Sequence, residues 1–237
     1  MLDGFATVVL VAVTIVNAGA LAAAVSAGRR RLALLAVLGL WIGLAIMLGA
    51  SGALLGNGLG PVPSIGLAVL LPLIAAGGAA ALSSDFRRTL LELPTDLLIG
   101  LNGFRVLGFF FLLLALQHRL AGPFPYSAGL GDILTGILAW PVIASLVHGK
   151  GSPGPLARIW NWFGALDLIA AISLGVMSAD GSPLQLIDTG IPGPSPMQAL
   201  PWSLIPTMLV PLYHILHAII HAQWHHRSAF GTAESRA

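Results

Sequence analysis

Seven long apolar runs dominate this sequence, and they leave few ways for the chain to fold. They cover residues 5–28, 32–55, 65–83, 97–116, 133–147, 157–178 and 202–224. A helix needs roughly 20 apolar residues to cross a bilayer, so the expected fold is an all-α membrane protein, a seven-transmembrane-helix bundle with a short tail over 225–237. The fifth run is the shortest and has room to borrow residues from its flanks. Charge supports this reading. Charged residues are 8% of the 237-residue chain, about a third of the ~25% that a soluble domain carries. Such a chain cannot cover a water-facing surface, which excludes a soluble enzyme, a nucleic-acid binder and a disordered chain.

Absent residues exclude further chemistry. There is no cysteine, so disulfides, thiolate metal sites and c-type haem attachment are ruled out. The single lysine, Lys150, falls in a loop, so the bundle cannot hold retinal as a Schiff base.

The positive-inside rule orients the bundle. The first run begins beside Asp3 and ends at Arg29-Arg30-Arg31, the reverse of a signal peptide's charge order. With the N-terminus outside and the C-terminus cytoplasmic, the inner segments collect Arg29, Arg30, Arg31, Arg87, Arg88, Lys150, Arg158, Arg227 and Arg236, nine of the eleven basic residues. The basic pI is therefore a topology signal. Trp160 and Trp162 mark the inner end of the sixth run. Trp202 and Trp224 bracket the seventh, about 33 Å apart at helical rise, as aromatic belts require.

Glycine is abundant, 29 residues of 237. Gly39 and Gly43 form a GxxxG pair, and residues 75–81 are all Ala or Gly. Small residues let helices approach closely, within the chain or in a homodimer. The loop over 179–201 carries Pro183, Pro192, Pro194 and Pro196 and reads as irregular, either a tether or a cap over an external vestibule.

Ionisable groups inside a membrane are costly and usually paired or functional. Arg105 lies about 12 Å along the fourth run from its inner end, and Asp167 about 15 Å along the sixth. Both helices start inside, so the expectation is a midplane ion pair. Asn102 and Asn161 would extend it as a polar seam, with Asn17 as a further member. Towards the outer face, Arg119 closes the fourth run. Asp132 follows Ala128-Gly129-Leu130-Gly131 and reads as the N-cap of the fifth.

The seventh run is interrupted by Pro206 and Pro211, each of which frees a carbonyl four residues earlier. Then come His214, His217, His221 and His225, within an arc of about 80° on a helix. Imidazoles at i,i+3 and i,i+4 suit haem iron or a transition metal or a proton path. His148, ending the fifth run, would supply a ligand from a second helix to a site with His214, His217 and His221. A partly polar, bundle-facing stripe is the plainer reading. No GxSxG, HExxH or phosphate-binding glycine loop occurs.

Several stretches carry a likeness. Phe104-Arg105-Val106-Leu107-Gly108, Gly129-Leu130-Gly131-Asp132 with Gly136, Trp160-Asn161 with Gly164 and Asp167, and Leu204-Ile205-Pro206 resemble a group of small bacterial multi-pass membrane proteins with no assigned activity. The likeness runs from about residue 100. It implies a bacterial cytoplasmic (inner) membrane location and no particular cofactor or substrate. Three readings stay open at this point. One is a transporter-like or ion- and proton-handling bundle built on Arg105 and Asp167. Another is a haem- or metal-binding membrane subunit. The third is an accessory subunit of a larger membrane complex. The bilayer is the partner common to all three.

Overall fold

The structure, a computed structural model, describes residues 1–55, 62–148, 153–189 and 193–234; of residues 62, 63, 148 and 227–234 only the backbone is described. It is all-helical, with no strand among the described residues. The helices are α1 (Leu2–Ala24), α2 (Arg29–Ser51), α3 (Val62–Leu82), α4 (Ser84–Glu92), α5 (Thr95–Leu101), α6 (Phe109–Leu116), α7 (Phe124–His148), α8 (Pro155–Met177) and α9 (Val210–Glu234). A 3-10 segment, Asn102–Gly108, joins α5 to α6, and a π-helical turn, Ile205–Leu209, leads into α9.

Seven helical stretches are long and apolar enough to cross a membrane: Leu2–Ala24, Arg29–Ser51, Ser64–Leu82, Thr95–Leu116, Phe124–Val147, Pro155–Met177 and Ile205–His226. Their outward faces show Leu40, Leu71, Ile74, Leu130, Ile159 and Leu166. An apolar surface of that extent suits lipid rather than water. Burial ranks the spans: 61% of the Ile205–His226 window is buried against 6% of Ser64–Leu82. The last span is thus the centre of the bundle and α3 its periphery.

Local chemistry explains the boundaries. Gly28 takes a positive φ of 124° between α1 and α2, and Gly52 ends α2 in the left-handed region, conformations that glycine adopts without a β-carbon penalty. Pro155 begins α8, where its missing N–H would have had no partner. The basic residues also cap helices. Arg31 donates from Nε to Val25 O at 2.9 Å and from Nη2 to Ala23 O at 3.1 Å, and Arg87 donates to Ala80 O at 3.1 Å. Both answer carbonyls left open at helix C-termini.

Two elements differ from the sequence reading. Residues 84–92 form α4, a strongly amphipathic helix that the hydropathy runs pass over, with Ser83 Oγ accepting from Phe86 N–H at 3.2 Å. The fifth span begins at Phe124, nine residues before the apolar run. Asp132 is therefore well inside α7, and the N-cap assignment is corrected. The glycines at 129 and 131 look like a break in sequence, but they are helical positions where neighbouring spans come close.

The proline-broken span is satisfied by its neighbours. Pro211 frees the carbonyl of Thr207, and Trp41 Nε1 of α2 donates to it at 3.0 Å. The Trp202 carbonyl, freed by Pro206, accepts from Ile205 N–H at 3.0 Å. Within the 179–201 loop, Met197 and Gln198 are buried in a short 3-10 turn, so this part packs on the bundle rather than hanging as a tether.

Candidate functional site

The site grows from Arg105, on the 3-10 segment midway along the fourth span and 2% exposed. A guanidinium offers five N–H donors and no acceptor. Here four of them are used. Nε donates to Asp132 Oδ1 at 2.6 Å and Nη2 to Asp167 Oδ2 at 2.7 Å. Nη1 donates to the Gly164 carbonyl at 3.0 Å and lies 3.0 Å from His217 Nε2. The partners come from α7, α8 and α9, so one side chain fastens four spans together.

The tautomer of His217 follows. Arg105 can only donate, so Nε2 accepts and the proton sits on Nδ1. Nδ1 meets Asn161 Oδ1 at 2.9 Å, and Asn161 Nδ2 donates to the His217 carbonyl at 3.2 Å. His217 is thus neutral in this arrangement, with both ring nitrogens engaged. The cluster sets two acids against one fixed cation, so it carries one excess negative charge when both acids are ionised.

Glycine makes the room. A β-carbon on Gly131 would overlap the Asp167 carboxylate. One on Gly164 would sit 2.5 Å from His217 Nε2, and one on Gly108 would sit 2.5 Å from Asp132 Cβ and 2.8 Å from Gly129 O. A β-carbon on Gly136 would come 2.6 Å from Val106 N. These contacts bring α7 and α8 against the 3-10 segment closely enough for the charges to meet.

Two cavities approach this hub from opposite ends of the bundle. One, of about 90 Å³, lies near the end of α8 and under the 195–198 turn, with Asp132 in its wall. The other, of about 220 Å³, lies between the start of α8 and the far end of α9, lined by Arg158, Asn161, Trp162, His221, Trp224 and His225. The hydrogen-bonded series Asp132, Arg105, His217, Asn161 connects one wall to the other.

Residues 62–223 match the family described as Domain of unknown function (DUF8737). The chain belongs to this family. No curated protein and no solved structure matches the chain. The DUF8737 segment contains every member of the Arg105 cluster and of the second cavity except Trp224 and His225, while α1 and α2 lie outside it. The hub therefore belongs to the part of the molecule that DUF8737 defines.

The other candidate residues within or beside the DUF8737 segment are placed differently. Asn102 does not join the cluster: its amide donates to Leu98 O at 3.0 Å, and its Oδ1 has no partner among the described residues. Asn17 likewise donates to its own helix, at Val13 O, 2.8 Å. Asp132 and Arg119 do not share an outer polar patch. Asp132 turns to Arg105, whereas Arg119 donates to Asp3 Oδ1 at 2.7 Å, an oxygen that also accepts from Trp202 Nε1 at 3.0 Å. The histidine stripe divides. His214 lies 3.3 Å from Val210 O through Nδ1, and His221 rings against Trp162 and His225 at 5.1 and 5.2 Å. No group of three or more His, Cys, Asp or Glu placed to hold a metal occurs among the described residues. The side chain of His148 lies outside them.

In sequence Asp132 reads as a cap, and His217 is one of four histidines on a single stripe. A signal for Asp132 was present: an acid some 27 positions from Arg105, flanked by glycines spaced as in close helix packing. For His217 no local signal separates it from its neighbours on the same arc.

Proposed function

We propose that the chain is a small transporter-like bundle of the bacterial inner membrane that handles protons or other cations through the Arg105–Asp132–Asp167 cluster, with its N-terminus outside. The observation that carries this is a buried cluster with one excess carboxylate, set between cavities that open towards opposite ends. A net charge away from water is costly unless it is neutralised. A proton or another cation on either carboxylate makes the cluster neutral and loosens one arm of the hub.

The chemistry also limits the mechanism. A guanidinium keeps its protons, so Arg105 interrupts any direct proton wire between Asp132 and His217. Charge arriving from one cavity crosses only when α7 or α8 shifts relative to Arg105. This favours alternating exposure of a site over a continuous channel, as in transporters with a midplane site. The orientation rests on the basic residues, which gather at the end where α8 begins.

Proteoliposomes loaded with a pH-sensitive dye test the proposal. The wild type should dissipate an imposed proton or cation gradient faster than empty vesicles, and Asp167→Asn should reduce that rate at least tenfold. Equal rates for wild type, Asp167→Asn and empty vesicles, across protons and monovalent cations, would overturn it.

A further inference from the structure

The cavity at Asp132 has an unusual wall for a membrane protein. Among its lining side chains only Asp132 and Gln198 are polar, and none is basic. The remainder is aliphatic and aromatic, including Val69, Leu168 and Ile172, with Phe111 and Phe124 paired edge to face at 5.4 Å. Asp132 gives one carboxylate oxygen to Arg105 Nε; its other oxygen has no hydrogen bond among the described residues. Asp132 thus lines an apolar chamber with one carboxylate oxygen free of hydrogen bonds among the described residues, in a cluster whose acids outnumber its fixed cation by one.

Building on the cation-handling reading, we infer that this cavity binds a small amphipathic organic cation, a protonated amine on a short aliphatic body that a chamber of about 90 Å³ can hold, with the ammonium on Asp132. Charge complementarity selects the cation. The wall selects its organic nature. Metal cations such as Ca²⁺ or Mg²⁺ require about six oxygen ligands, and this wall offers one carboxylate and one amide. Trp202 and Thr207, whose carbonyls Pro206 and Pro211 free, do not line the cavity, so they add no ligands. An ammonium needs fewer partners, and its apolar body replaces poorly hydrated space while the Phe rings present their faces or edges to it. A lipid chain would fill the same walls but leave the second acid on Arg105 without a cation of its own.

The test uses the full chain in nanodiscs and equilibrium dialysis with radiolabelled n-propylamine, against its neutral analogue 1-propanol, subtracting empty discs. Wild type should show saturable binding that prefers the amine at least tenfold. Asp132→Asn should lose that preference. It leaves Arg105 and Asp167 as a neutral pair, so the fold should survive. Gly175→Leu is the second variant. Its β-carbon makes ordinary contact with Phe124 at 3.6 Å, and its outer atoms fill the chamber without touching Arg105. It should also weaken amine binding tenfold or more. Equal binding of amine and alcohol, binding unchanged in both variants, or no saturable binding above empty discs would each overturn the inference. Amine binding without any gradient dissipation would sustain this site and overturn the transport reading instead.

Discussion

Arg105 and Asp132 are 27 residues apart in sequence, yet the Nε of one lies 2.6 Å from the carboxylate of the other across two packed spans. With Asp167 on the neighbouring Nη2 of the same guanidinium, at 2.7 Å, the arginine is the counter-charge that lets two acids share the interior. Removing any one member therefore has a different consequence.

Arg105→Met leaves two buried carboxylates facing each other, and breaking a buried pair this way costs about 3–5 kcal/mol. Asp132→Asn or Asp167→Asn alone leaves a neutral pair and should be far milder. The triple variant Arg105→Met, Asp132→Asn, Asp167→Asn should recover most of the loss. Unfolding in mixed micelles, followed by tryptophan fluorescence, measures all four; a stable Arg105→Met would refute the shared-arginine account.

Gly131→Ala and Gly164→Ala place a methyl group against Asp167 and His217. Overpacking of this kind costs about 1–3 kcal/mol. Gly19→Ala meets nothing within 4 Å and should stay within about 0.5 kcal/mol of wild type. Comparable thermal midpoints for the three variants would show that the close approach does not matter.

His217→Ala removes the partner of both Arg105 and Asn161 and leaves buried polar atoms open, a cost of about 1–3 kcal/mol. His221→Ala, on a half-exposed ring, should cost much less. Both nitrogens of His217 are engaged, so prolonged dialysis against a chelator should leave the melting temperature unchanged. A fall of several degrees would return the histidines to the role of metal ligands.

Trp41→Phe withdraws the indole N–H from the Thr207 carbonyl that Pro211 exposes. A buried carbonyl left alone costs about 1–3 kcal/mol. The double variant Trp41→Phe, Pro211→Ala should be less damaged than Trp41→Phe, because the alanine N–H restores a helical donor. A purely additive result in the same unfolding measurement would disprove the link.

Hydropathy alone located the seven spans, because a bilayer sets a fixed length for an uncharged helix and that requirement is local. Counting along helices also set Arg105 and Asp167 at one depth. What counting along single helices cannot supply is azimuth and neighbour. Asn102 and Asn161 look equivalent in sequence, yet the 3-10 segment leaves one on its own backbone while α8 turns the other to His217. Asp132 was assigned to a cap because two glycines precede it; in the bundle those glycines are the gaps through which other side chains reach.

The sequence by itself determined that this chain is helical, apolar and sevenfold in its spans, since burial in hydrocarbon is scored residue by residue. Tertiary structure alone decided which of four histidines meets the arginine, that Asp132 joins Asp167 on it, and that a cavity reaches Asp132. Those depend on how helices rotate and how closely their backbones pack, and both are set by the sum of contacts across the bundle rather than by any one segment.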